Sequence, residues 1–150
     1  MIPKTADSPR VLHLASWYPS AVHGTLGNFV RRHIDAIGTE HASEIWHAAP
    51  SPSDQSLPQN THTDCGNFKE RIIYFKAQKP VVNGTTRALL KLADQMDEQP
   101  FDLIHLHVAY PAGKAARILS KRWGAPLVVT EHWTAYHTDQ QTKLPFWRKW

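Results

Sequence analysis

The feature that most constrains this 150-residue chain is an alternation of two hydrophobic periods. Short apolar runs of strand length, RVLHLASW (10–17), SEIWHAA (43–49), RIIYFKA (71–77), DLIHLHV (102–108) and PLVVTEH (126–132), punctuate the sequence. Between several of them, apolar residues recur every three or four positions. The first pattern fits buried strands and the second amphipathic helices. Strand–helix–strand connections within one sheet are right-handed crossovers, so this alternation predicts a parallel sheet covered on both faces. The expected fold class is α/β, a Rossmann-like three-layer sandwich whose five predicted strands lie in the order 3-2-1-4-5.

The helical segments carry their own signals. Phe29, Val30, His33, Ile34 and Ile37 share one face of a first helix, with Arg31, Arg32 and Asp35 off it. Thr85 and Thr86 are suited to cap a second, whose Leu89, Leu92, Ala93 and Met96 follow at helical steps. Pro111 fits the first position of a third. Its stripe of Ala112, Ala115, Ala116, Leu119 and Trp123 ends at Gly124 and Pro126. Residues 50–67, rich in Ser, Pro, Asn, Thr and Asp, suggest a long polar loop. Residues 1–9 are expected to be a flexible N-terminus, leaving one domain over 10–150.

A hydrophobic fraction of 41% and a charged fraction of 20% fit a soluble globular protein. No apolar run approaches a membrane span, and MIPKTADSPR lacks the apolar centre of a signal peptide. The single cysteine, Cys65, excludes an internal disulfide framework or a Cys-rich metal centre. A cytoplasmic location is the resulting expectation. The net charge of +4 permits an anionic partner without demanding one. Lys114, Arg117 and Lys121 lie along one face of the third helix, with Arg122 beside it. They read as a solvated face or as a surface for peripheral contact with the inner face of a membrane. Aromatic and basic residues interleave too little to indicate nucleic acid. Trp147, Arg148 and Trp150 form an amphipathic tail.

In doubly wound sheets, ligands sit beyond the carboxyl ends of the strands where the strand order reverses. Here that point lies between the first and fourth predicted strands. The loop at 17–27, the strand end at His107 and the pair Glu131–His132 should therefore converge. In SWYPSAVHGTLGNF, Gly24 and Gly27 could let backbone N–H groups ahead of Asn28 approach a phosphate at the helix N-terminus. The spacing is neither GxGxxG nor a P-loop, and a plain glycine turn is the other reading. His105 and His107, two apart on a strand, face the same way. With Glu131 and His132 on the next strand they supply the residue types of a zinc site. No HExxH and no cysteine pair accompanies them, and hydrogen bonding inside the helix layer would also explain a histidine there.

Three stretches then match something specific. WYPS with GNFVRRHIDAI, FDLIHLHVAYPAGKAARILSKRWGAPLVVTEHW, and the alternation joining them resemble the N-terminal, acceptor-side domain of family 4 glycosyltransferases. The resemblance runs from about residue 10 to residue 150. It implies one half of a GT-B architecture, two Rossmann-like domains facing a cleft. Gly27 matches the glycine lying against the donor diphosphate, flanked by Gly24 and Asn28. His132 matches the histidine facing the donor sugar and the reacting hydroxyl. His107 and Tyr110 match positions on the acceptor side, and Glu131 would orient neighbouring backbone.

The family often has a glycine pair in the first loop, where this sequence has Leu26 before Gly27. The resemblance implies retaining transfer from a nucleotide-sugar donor to a glycan or lipid-linked acceptor, with no cofactor and no metal. It also implies a second, C-terminal donor-binding domain carrying an acidic Glu-x7-Glu motif, which these residues do not supply. Without it the chain is expected to be nearly silent, since both reactants must be held together. Two other readings stand beside this one. The first is a small metal-dependent hydrolase using His105, His107 and His132. The second is a non-catalytic module binding an anionic glycan or lipid surface.

Overall fold

The computed structural model describes residues 8–52, 59–96 and 101–132. The expectations for residues 1–7 of the N-terminus and for the tail Trp147–Trp150 lie outside the described residues.

Six strands and three helices follow in the order β1 (Arg10–Ala15), α1 (Asn28–Ile37), β2 (Ala42–Ser51), β3 (Asn60–Asp64), β4 (Phe68–Lys76), α2 (Val81–Ala93), β5 (Leu103–His107), α3 (Gly113–Trp123) and β6 (Leu127–Thr130). They form one sheet of order β3-β4-β2-β1-β5-β6. The five anticipated strands keep the order expected of them, all in parallel pairs. The sixth corrects the reading of residues 50–67 as loop. NTHTD (60–64) pairs antiparallel with β4, from Asn60 opposite Ile73 to Asp64 opposite Lys69. Its polar sequence carries no alternation to announce it, because this edge strand is largely exposed and packs no apolar face.

Period 2 sorts the inner strands between two cores, whereas β6, expected to be buried, keeps Val128 47% and Val129 50% exposed at the sheet edge. Leu12 and Leu14 of β1, Trp46 and Ala48 of β2, and Ile104 and Leu106 of β5 face α2 and α3. Ala15, Ile45, Ala49 and Ile72 face the opposite way, onto Val30 and Ile34 of α1. The larger core closes on an aromatic trio. Trp46, Phe101 and Trp123 have ring centroids 5.8 to 6.1 Å apart. Such pairs add about 0.5–1.5 kcal/mol each beyond burial. Glu44 sits in the same strand as Trp46, and its Oε1 accepts from Trp46 Nε1 at 2.6 Å and lies 2.6 Å from Arg71 Nε.

Two helix starts and one buried face differ from expectation. α2 begins at Val81 behind Pro80, so Thr85 and Thr86 are interior and buried, not caps. The Thr86 hydroxyl is used inside the helix, donating to Val82 O at 2.6 Å. α3 begins at Gly113 with Ala112 as N-cap, so Pro111 lies in the preceding turn. The stripe Ala112, Ala115, Ala116, Leu119 and Trp123 is buried as expected, and Gly124 ends the helix at φ 64°, the left-handed cap that glycine adopts most easily. On α1 the buried residues are Val30 and Ile34, whereas Phe29 is 44% exposed and His33 is exposed. Those two rings are turned toward the carboxyl edge of the sheet, where they meet other histidines.

Candidate functional site at the carboxyl edge of the sheet

The ends of β1, β5 and β6 are tied together by backbone. Ser16 N donates to His107 O at 3.1 Å, and the Ser16 hydroxyl accepts from Ala112 N at 3.0 Å. Val108 N donates to Thr130 O at 2.9 Å. Val108 is buried with φ 64°, a conformation that a β-branched residue adopts only when its surroundings over-determine it. It turns the chain sharply after His107, toward Ala109 and the half-buried Tyr110. Glu131, one residue past β6, accepts from Ala109 N at 3.0 Å with Oε2 and from His132 N at 2.9 Å with Oε1. Its carboxylate therefore braces the two strand ends.

Gly27 opens α1 at φ 70° and ψ 24°. A Cβ there would stand 2.3 Å from Trp17 O and 2.8 Å from Tyr18 N, so the loop after β1 lies directly on the helix start. Gly24 is different: it is exposed, and a Cβ would meet nothing within 4 Å. Asn28 is exposed in the first turn, which has no side-chain cap and no acidic residue. The positive end of the α1 dipole is thus unopposed by its own side chains. His132 is exposed, and its ring meets Phe29 edge-on at 4.7 Å between centroids. The structure brings the loop 17–27, the end of β5 and Glu131–His132 to one edge.

Behind this edge lies a histidine cluster that sequence reasoning only half assembled. Parallel register sets His13 of β1 opposite His105 of β5, and period 2 adds His107 on the same face. His105 and His107 have centroids 4.0 Å apart, and His13 lies 5.5 and 5.4 Å from them. His13, His105 and His107 each offer a ligand atom within 4.8 Å of the others. The grouping expected earlier used His132 as third member, but its ring stands 6.5 Å from that of His107, at the rim. His13 was hidden in RVLHLASW because period alone fixes the face of a residue, not its neighbour across the ladder. His33 of α1 completes the rim, packing edge-on 5.8 Å from His107 and 6.2 Å from His105.

Burial disfavours the charged form of all three rings, His13, His105 and His107. Burial, then the neighbouring His105 and His33, pushes His13 down to about 3. Burial followed by His105, His13, His33 and His132 pushes His107 down to about 2. His105 is lowered too, by burial and then His33 and His132. His13 Nδ1 and His107 Nε2 share one hydrogen bond of 3.1 Å. Whichever ring donates, His13 Nε2 and His107 Nδ1 are left buried without a hydrogen-bond partner. One is an N–H with no acceptor and the other a lone pair with no donor, at about 1–3 kcal/mol each. His105 Nε2 lies 2.8 Å from the Thr130 hydroxyl.

Further along the same edge, His47 of β2 is buried, with Nδ1 2.8 Å from Ala15 O. Tyr18 is fully buried and donates to Glu70 Oε2 at 2.6 Å, so burial and that carboxylate both raise its pKa. Lys114, Arg117 and Lys121 are exposed on α3, and Arg122 pairs with Asp94 at 2.6 Å. No helix among the described residues is long and apolar enough to cross a membrane. Two cavities open elsewhere. One of about 170 Å³ is lined by Arg10, Glu44, Phe68 and Phe101. The other, of about 550 Å³, is lined by Phe75, Gly84, Arg87 and Lys91. Neither includes Gly27, His107 or His132.

The chain's likeness to known proteins is one of family and fold. No curated protein matches the chain. A solved structure described as "Trehalose-6-phosphate from E. coli bound with UDP-2-fluoro glucose" superposes with a TM-score of 0.51 at 14% identity, over 80% of this chain and 32% of that one. At that identity the likeness is one of fold, and this chain spans about a third of that protein's length. Residues 69–150, more than half of the sequence, match the glycosyl transferase 4-like domain. That stretch begins in β4 and takes in His105, His107, Glu131 and His132. With a Rossmann-like sheet of the expected strand order around them, the chain belongs to the glycosyl transferase 4-like family.

Proposed function

We propose that this domain forms the acceptor side of a glycosyltransferase cleft, transferring a sugar from a nucleotide-sugar donor to an acceptor hydroxyl. The observation that carries this is the contact of His132 with Phe29, which sets an exposed imidazole over the first turn of α1. An uncapped helix start favours an anion, and an imidazole beside it can hydrogen-bond a sugar or hydroxyl. The donor diphosphate would lie at Gly27, whose lack of a side chain lets the backbone of Trp17 and the helix start close together. A neighbouring fold bound with UDP-2-fluoro glucose supports a nucleotide diphosphate sugar as the donor class.

In the transfer, the bond from the anomeric carbon to the diphosphate breaks, and its electron pair leaves with the phosphate oxygen. The acceptor oxygen bonds to that carbon, and its proton passes to the departing diphosphate. The positive end of α1 stabilises the charge that develops there. His132 orients the sugar and hydroxyl rather than removing the proton, the half-buried Tyr110 shapes the acceptor side, and the buried His107 acts from behind it by fixing the strand end. Glu131, with both oxygens on backbone N–H groups, holds the strand ends and is not the base.

By resemblance the transfer is retaining and uses no cofactor in its chemistry. It takes a glycan or lipid-linked acceptor and is completed by a C-terminal donor-binding domain following this 10–150 unit. The exposed basic face of α3 suits peripheral contact with an anionic membrane, and a cytoplasmic location fits the sequence. The test is sugar transfer by the two-domain protein, using UDP-sugars first. Replacing His132 with Ala should lower kcat/KM at least tenfold with folding unchanged. Turnover equal to the wild type would remove His132 from the site.

A further inference from the structure

We infer that His13, His105 and His107 form a three-histidine site for a divalent transition-metal ion, tying β1 to β5 immediately behind the carboxyl edge. The sheet builds it: ladder register sets His13 against His105, and period 2 brings His107 onto the same face. The donor atoms of all three lie within 4.8 Å of one another. The facing nitrogens of His13 and His107 are 3.1 Å apart. Two nitrogens on one tetrahedral zinc at about 2.0–2.1 Å would stand about 3.3 Å apart, so little movement separates this geometry from ligation.

The two facing rings are enclosed by protein. His13 and His107 are both 0% exposed, and each keeps a buried nitrogen without a hydrogen-bond partner. The three rings present three lone pairs and only one N–H···N bond among them. A cation at the facing nitrogens, His13 Nδ1 and His107 Nε2, takes a lone pair from each and moves the shared proton to an outer nitrogen, so that His13 Nε2 and His107 Nδ1 both become N–H groups. If His105 donates Nε2–H to the Thr130 hydroxyl at 2.8 Å, its other nitrogen is the one left to ligate, the arrangement by which outer hydrogen bonds orient metal-bound histidines.

The donor set selects the ion. Three imidazoles suit zinc, copper or nickel and are poor ligands for magnesium or calcium, which take oxygen. The exposed His33, packed edge-on against His105 and His107, marks the solvent side from which an ion would enter. The assignment is thus of a resident ion held by nitrogen donors. This departs from the metal-free expectation of the family resemblance. It requires nothing of the glycosyl-transfer reading, because binding is measured on the 150-residue chain without donor or acceptor.

The experiment is titration of chelator-stripped protein with Co²⁺ and Zn²⁺, read by visible absorption and by metal content after dialysis. The expected result is about one ion per chain, d–d bands of nitrogen-coordinated cobalt, and no uptake of Mg²⁺. His105→Gln, at the half-buried member, should weaken affinity at least tenfold, as should His13→Leu. His62→Gln, on the exposed edge strand β3, should change nothing. Far-UV circular dichroism checks each fold, so if His13→Leu unfolds, His105→Gln still decides. Uptake well below one ion by the wild type, or affinity retained in a folded His105→Gln, would overturn the assignment.

Discussion

Gly27 and Gly24 lie three residues apart in one loop, and the structure assigns them opposite consequences on mutation. Gly27→Ala meets two penalties. Its φ of 70° is left-handed, which costs a residue with a Cβ about 1–2 kcal/mol. The new methyl would also lie 2.3 Å from Trp17 O, 2.5 Å from Trp17 C and 2.8 Å from Tyr18 N, where ordinary contact begins near 3.4 Å. All three are backbone atoms, so no rotamer change relieves the clash, and the loop must retreat by about 1 Å. Overpacking of that kind costs about 1–3 kcal/mol, giving about 2–5 kcal/mol in total. Gly24→Ala has open space and an ordinary backbone, so it should be neutral, or stabilising by about 0.4–1 kcal/mol through the unfolded chain. Urea unfolding followed by tryptophan fluorescence measures both. With a slope of about 2 kcal/mol/M, Gly27→Ala should move the midpoint down by at least about 1 M. A Gly27→Ala midpoint within error of the wild type, or a Gly24→Ala loss of equal size, would refute the placement of this loop on the helix start.

Two further predictions concern buried charge. Burial, partly offset by its bond to Ala15 O and reinforced by His23, lowers His47 from 6.5 to about 4. Its folded state binds fewer protons than the unfolded chain. The stability this contributes is full above about pH 6.5 and falls by about 1.4 kcal/mol per pH unit between pH 6.5 and 4. His13 and His107, lowered further, act in the same direction. Metal-free protein should therefore lose stability steeply from pH 7 to 5.5, and His47→Gln should flatten the slope. A stability independent of pH across that window would contradict the burial of these rings. Glu44→Ala strands both Arg71 and the Trp46 N–H, and should cost about 3 kcal/mol in urea unfolding. Glu44→Gln can still accept from Trp46 and should cost about 1–2 kcal/mol; equal losses in the two variants would show that only the charge matters.

How far the sequence was legible depends on what kind of information each residue needs. Strand and helix periods are local, so β1, β2, β4, β5, β6 and the buried stripe of α3 were readable from RVLHLASW through PLVVTEH. β3 was not, because an exposed edge strand buries no apolar face and NTHTD carries no alternation. Thr85 and Thr86 misled because cap-forming residues also serve inside a helix, where Thr86 bonds back to Val82. The site's location followed from topology alone. Its membership did not: His105 and His107 declare a shared face by spacing, while His13 joins them only through the register of β1 on β5, a non-local quantity.

The same distinction separates the neighbours Glu131 and His132. An acid and an imidazole at the end of an apolar strand look equivalent in sequence, yet they leave the strand with different work. Glu131 spends one oxygen on Ala109 N, past the strained Val108, and the other on its neighbour's N–H. Its charge fixes the turn that follows His107, so the loop carrying Tyr110 is held by a strand that it does not belong to. That bracing leaves His132 directed outward, with its ring on Phe29 and its face toward His107. Removing the carboxylate with Glu131→Leu should therefore leave both Ala109 N and His132 N without this acceptor, and Glu131→Gln, which keeps one acceptor oxygen, only one of them. A strand end that stabilises its neighbour's backbone is what permits an exposed imidazole to stand at a defined place above a helix N-terminus.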